Sequence, residues 1–113
     1  MSVVRNRVTQ MIKDFGARLA VLRAEPAHHD LGLDGLVKLA LQQAGWRGSN
    51  QSPAWMAIYA GASKATGQTI TFDSWQELDR TADPATVGMV LVQIIKTTVG
   101  MLPEDVDLVG VGL

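Results

Sequence analysis

Residues 52–83 read SPAWMAIYAGASKATGQTITFDSWQELDRTAD, and this stretch decides the fold class. Ser52 followed by Pro53 is a favourable N-cap and first-turn pair, because the serine oxygen accepts an orphan backbone N–H while proline has no N–H to leave unpaired. A helix is therefore expected from there to about Ala65, with Gly67 ending it. Its apolar positions Trp55, Met56, Ile58, Tyr59 and Ala62 alternate with Ala57, Ala60, Gly61 and Ala65, small residues that permit another helix to approach closely. Thr69 to Phe72 is too short for an independent strand and reads as an extended connector or one short pairing. Asp73 or Thr71 then caps a fourth, short helix through Arg80, with Asp73 and Glu77 favoured near its positive N-terminal end.

Working outward, Asp83-Pro84 repeats the cap-and-proline opening and starts a helix reaching about Met101. Val87, Val90, Leu91, Val92, Ile94, Ile95 and Val99 cover a face about 200° wide, leaving Thr86, Gln93, Lys96 and Thr97 as a polar strip, so this helix is the expected buried spine. Its β-branched content makes strand an alternative over Met89 to Ile95, but the capped start and single polar strip favour helix. Upstream, Val4, Val8, Met11, Ile12, Phe15, Leu19 and Leu22 recur at steps of three and four. They define a helix from about Val3 to Ala24 with a seam about 100° wide. Glu25-Pro26 stops it, since the residue before proline is pushed out of the α region. A second helix spans about Leu33 to Ala44, with Asp30 or Asp34 as its cap and Gly45 at its end. The tail LPEDVDLVGVGL either restarts a turn at Pro103 or runs extended over 103–113.

Five helices and no confident strand predict an all-α single domain, a compact bundle. A chain of 113 residues suits one domain that buries roughly two-thirds of its unfolded surface. Hydrophobic residues at 47% and charged ones at 19% argue against disorder. The chain has no cysteine, which excludes disulfides, thiolate catalysis and cysteine-ligated metals. The N-terminal residues lack the uninterrupted apolar block of a secretory signal, and the longest apolar run, near Val87 to Ile95, is far below the roughly 20 residues of a membrane span. A soluble, cytoplasmic protein without a membrane partner is expected. The net charge of −1 is unevenly distributed. Residues 1–50 hold seven basic and four acidic residues, residues 51–113 three and seven. Opposite halves can complement one another within or between copies.

Chemistry is sparse. His28 and His29 are adjacent on a loop, where neighbours point apart and seldom chelate one metal without further ligands. Asp73, Glu77, Asp79 and Asp83 cluster, but helix N-termini attract acids for electrostatic reasons alone. No serine sits in a nucleophile elbow and no phosphate loop is present. No catalytic, cofactor-binding or metal-ligating residue is assigned, and the expectation is a non-enzymatic protein without a cofactor. Nucleic-acid binding is disfavoured, because Arg5, Arg7, Lys13, Arg18 and Arg23 surround the first helix instead of lining one face. The loop between the second and third helices is also too long for a helix-turn-helix. Trp55 and Trp75 read as core. Trp46, beside Arg47 and flanked by Gly45 and Gly48, reads as an interface anchor of the kind tryptophan and arginine often provide.

The pattern W-x-x-I-Y-A-G-x5-G-x-x-I-T-F-D-S-W-x-E-L-D, within about residues 53–101, resembles small tail assembly chaperones of tailed phages. The resemblance implies a non-enzymatic role, the transient coating of another protein's apolar segments during assembly. Residues 1–50 do not match that pattern. The broader expectation is a self-associating interaction or assembly module. The seam of the first helix either packs on its own domain or in part meets a second copy or a partner; the contact residues are taken to be Val4, Val8, Met11, Ile12, Phe15 and Leu19 there, with Trp46 and Arg47. The tail-chaperone role and a small nucleic-acid-binding regulator are the alternatives.

Overall fold

The computed structural model describes residues 3–47 and 52–106. Five α-helices account for most of them: α1 (Val3–Ala24), α2 (Gly32–Gln43), α3 (Pro53–Thr66), α4 (Phe72–Thr81) and α5 (Pro84–Val99). Short 3-10 turns at Pro26–Leu31 and Pro103–Asp105 complete the regular structure, and no strand occurs among the described residues. The all-α expectation holds.

The helix ends are set by the residues that sequence reasoning singled out. Ser52 accepts from the Trp55 N–H at 3.4 Å and Asp83 from the Thr86 N–H at 2.7 Å, each followed by its proline. Ser74 Oγ accepts from the Thr71 N–H at 2.7 Å, closing the first turn of α4. At the far end of α2, Gly45 takes φ +85°; its N–H bonds to the Gln42 carbonyl, and that of Trp46 to the Leu41 carbonyl. That pairing is a Schellman stop, and it sends the chain away with Trp46 pinned back against the helix. Two expectations are corrected. The connector before α4 is irregular over residues 67–71, and Phe72 already belongs to the helix. Neither Asp30 nor Asp34 caps α2: its N-cap position is Leu31, and the cap arrives from α4, where Asp79 Oδ1 accepts the Asp34 N–H at 2.9 Å.

Helix α5 is the spine, as its pattern predicts. Val90, Leu91, Ile94 and Thr98 are buried between α3 and α1, which pack on either side of it, while α2 lies on α1. Two glycines set these crossings. A Cβ at Gly61 of α3 would stand 2.7 Å from Ile94 Cα, and one at Gly16 of α1 would meet Thr98 Oγ1 and come within 2.9 Å of Val99 Cγ2. Glycine inside a helix costs about 0.5–1 kcal/mol relative to alanine, and closer backbone packing offsets that here. Thr98 is fully buried yet satisfied, because its hydroxyl donates to the Ile94 carbonyl at 2.9 Å.

The main apolar cluster joins Phe15, Leu19, Leu33, Val37, Ile58 and Ile94 with the aromatic residues of α3 and α4. A smaller one joins Val8 and Ile12 of α1, Ala57 of α3 and Val106, which follows the Pro103–Asp105 turn. Residues 107–113, the rest of the expected tail, lie outside the described residues.

Candidate functional site

Among the concavities formed by the described residues, two differ in chemistry. The first is a cleft of about 500 Å³ where α2, α3 and α4 meet. Helix α4 is short and has a single fully buried side chain, Trp75. Trp75 packs edge-on against Trp55 of α3, with ring centroids 5.6 Å apart and planes at 80°, and stands 6.3 Å from Tyr59. Trp55 and Tyr59, one helical turn apart, are themselves 5.6 Å apart. Such edge-to-face contacts add about 0.5–1.5 kcal/mol beyond buried area. Phe72, the first residue of α4, is 45% exposed at the cleft's rim.

Carboxylates complete this cleft. Asp34 of α2 accepts from Trp75 Nε1 at 2.8 Å and from Lys38 Nζ at 2.8 Å, one turn further along α2. Asp79 of α4 returns the connection by accepting the Asp34 N–H. The hydrogen bond and charge of Asp34, with the charge of Asp79 behind it, hold the Lys38 ammonium above its ordinary pKa of 10.5 against a small opposing effect of burial. Two carboxylates thus face one ammonium beside a floor of aromatic rings. Gln76 adds a neutral amide at the edge.

The second concavity is a groove of about 740 Å³ between the end of α1 and the starts of α2 and α5. Leu36, Pro84, Val87 and Leu91 give it apolar walls, Gly88 leaves its α5 side open, and Arg23 is the one charged residue among the described residues that line it.

The residues that the sequence marked for contact are distributed differently. Val8, Ile12, Phe15 and Leu19 are buried in the chain's own core, because α1 is covered by α2, α3 and α5 together. Using them as a contact face would require α1 to leave that core. The side chain of Val4 lies outside the described part. Met11 and Trp46 are half-buried and Arg47 is exposed. Trp46 packs against both apolar clusters and its Nε1 donates to the Met11 carbonyl at 3.3 Å, so it ties the loop after α2 to α1. Trp55 and Trp75 are core, as expected. His28 meets Glu25 at 2.9 Å, the His29 side chain lies outside the described part, and no group of three metal-capable side chains occurs among the described residues.

Sequence reasoning missed both concavities. Each lies between helices distant in sequence; from sequence Asp34 reads as a candidate local cap and Asp79 as one acid of a cluster near helix starts. The signal available was the i, i+4 pair Asp34 and Lys38 and the repeated aromatic positions 55, 59, 72 and 75. Comparison with protein-family models, with curated proteins and with solved structures finds no match to this chain. No helix among the described residues is long and apolar enough to cross a membrane.

Proposed function

We propose that this protein is a non-enzymatic helical interaction module that assembles with copies of itself. The observation that carries the reading is the apolar groove at the end of α1 and the starts of α2 and α5, where Arg23 is the one charge among the described lining residues. Such a groove suits an apolar segment carrying an acid. The second half of the chain, with seven acidic residues against three basic ones, is rich in such acids. Head-to-tail association between unlike halves follows from that polarity. Exposed Val21, Met89, Val99 and Leu102 add apolar area on the same three-helix framework and the turn after it.

Gly88→Gln tests this without touching the core. Gly88 lines the groove and a Cβ added there meets nothing within 4 Å, so there is room for a longer side chain at the groove, and glutamine is the better helix former. Light scattering should give the native chain a mass above 12.1 kDa that rises with concentration. The variant should associate about tenfold more weakly, equivalent to about 1.4 kcal/mol. A native chain that stays monomeric at every concentration removes self-assembly.

A second reading, a role like that of phage tail assembly chaperones, is favoured by one observation. Five residues of the pattern that suggested it, Trp55, Tyr59, Phe72, Trp75 and Asp79, line a single open cleft. A stable complex with the apolar segment of a co-expressed tail protein tests that role.

A further inference from the structure

We propose that the cleft between α2, α3 and α4 is a binding site for an organic cation, a guanidinium or alkylated ammonium group. Its volume of about 500 Å³ lies within the roughly 300–1,000 Å³ range of ligand sites and exceeds what one such group fills. The recognition chemistry is already assembled. Aromatic rings attract cations through their negative faces, and Trp55, Tyr59, Phe72 and Trp75 all border this space. Phe72 is the ring most open to solvent and the one free to cover a guest.

Two carboxylates set the sign of the charge. Asp34 is oriented by the Trp75 indole and Asp79 by the Asp34 backbone N–H. Both are held in place before any ligand arrives, which lowers the cost of binding. Lys38 neutralises one of them from an exposed position, with its side chain 66% accessible. An exposed ion pair of this kind contributes little, so a competing cation can displace it. A guanidinium is the best fit, since it stacks on aromatic rings and also forks onto carboxylates. An anion would face an excess of negative charge, and a neutral apolar group would leave both carboxylates without a new partner.

The cation has two possible sources: an arginine or lysine side chain of an associating polypeptide, or a free small molecule. The first source rests on the assembly reading above; the cleft's preference for a cation does not.

The test is titration of the full chain with N-acetyl-arginine amide and, separately, tetramethylammonium, following the Trp75 indole N–H resonance. A saturable shift is expected with both. Asp79→Asn, which keeps an oxygen to accept the Asp34 N–H, and Phe72→Ala, at an exposed ring, should each weaken binding about five- to tenfold. Lys38→Gln should tighten it by removing the competing ammonium. Asp73→Asn, on the same helix but outside the cleft, should leave it unchanged. An arginine-bearing decapeptide that binds about tenfold more tightly than the amide assigns the polypeptide source; equal affinities assign the free cation. The inference is overturned if no saturable shift appears, if N-acetyl-leucine amide shifts the resonance equally, or if Asp79→Asn binds as the native chain does. Because the titration is read on whatever oligomer the chain forms, loss of self-association leaves this result standing, and the reverse also holds.

Discussion

The two sides of α2 are built by different means. Toward α1 and α5 it meets an interior of Phe15, Leu19, Leu33, Val37 and Ile94, where contact is apolar and shape alone decides the fit. Toward α4 it is joined by directed bonds, Asp34 to the Trp75 indole and Asp79 to the Asp34 N–H, while Lys38, on α2 itself, braces Asp34. Non-directional burial supplies most of the folding free energy. Hydrogen bonds contribute modestly on balance and are costly when broken. The close-packed side therefore carries stability, and the bonded side fixes where a short helix sits while leaving an open cleft beside it.

The strongest way to break this contrast is to empty the packed side. Phe15→Ala removes a fully buried ring and should lower unfolding free energy by about 3–5 kcal/mol in urea titrations. If instead it weakens self-association and leaves stability nearly intact, the α1 seam is a contact face after all. Overfilling is the complementary insult. Gly61→Ala places a methyl 2.7 Å from the Ile94 backbone, which cannot move aside as a side-chain end can, and should cost about 1–3 kcal/mol despite alanine's better helix propensity. Gly88→Ala has open space around the new methyl and should raise stability by about 0.5–1 kcal/mol. The same substitution in neighbouring helices thus changes sign.

On the bonded side, the identity of the lost atom matters more than the lost charge. Asp34→Ala leaves the Trp75 indole N–H, at a residue only 2% exposed, without its acceptor and should cost about 1–3 kcal/mol. Asp34→Asn retains an acceptor oxygen and loses mainly an exposed ion pair, so its cost should stay below about 1 kcal/mol. Thermal melts of the two variants with Trp75→Phe as a second mutation sharpen the point. The two should converge once the indole is gone.

What was legible in the sequence follows the same division. Helix periodicity and the caps Ser52, Thr71 and Asp83 act over three or four residues, and the structure realises them. The spine role of α5 was legible because its broad apolar face is a property of one segment. What was not legible depends on pairs distant in the chain. Asp79 caps a helix 45 residues away, and Gly16 is small because of Thr98. From sequence Asp79 reads as a surface acid, and nothing marks Gly16 or Thr98 as partners. The α1 seam was read correctly as apolar, but a stripe does not say whether its own chain or another covers it. Here α2, α3 and α5 do.

The smallest effect separates the α5 cap from the ion pair on α2 by pH. Asp83 lies below its ordinary pKa of 3.8, chiefly because it accepts from the Thr86 hydroxyl and then from the Thr86 backbone N–H. A carboxyl whose pKa is lowered in the folded state contributes stability that is present above its unfolded pKa and lost as pH falls through the folded one. Lys38 runs the opposite way: raised above 10.5 by Asp34, it contributes below that value and loses the contribution as pH climbs through its folded pKa. Urea midpoints should therefore sag at both extremes. Asp83→Asn should flatten only the acid limb and Lys38→Gln only the alkaline one, because the first group caps α5 and the second pairs with Asp34 one turn away on α2. An Asp83→Asn chain whose alkaline limb also flattened would show that the α5 cap and the Asp34–Lys38 pair are coupled, which nothing in their separate hydrogen bonds predicts.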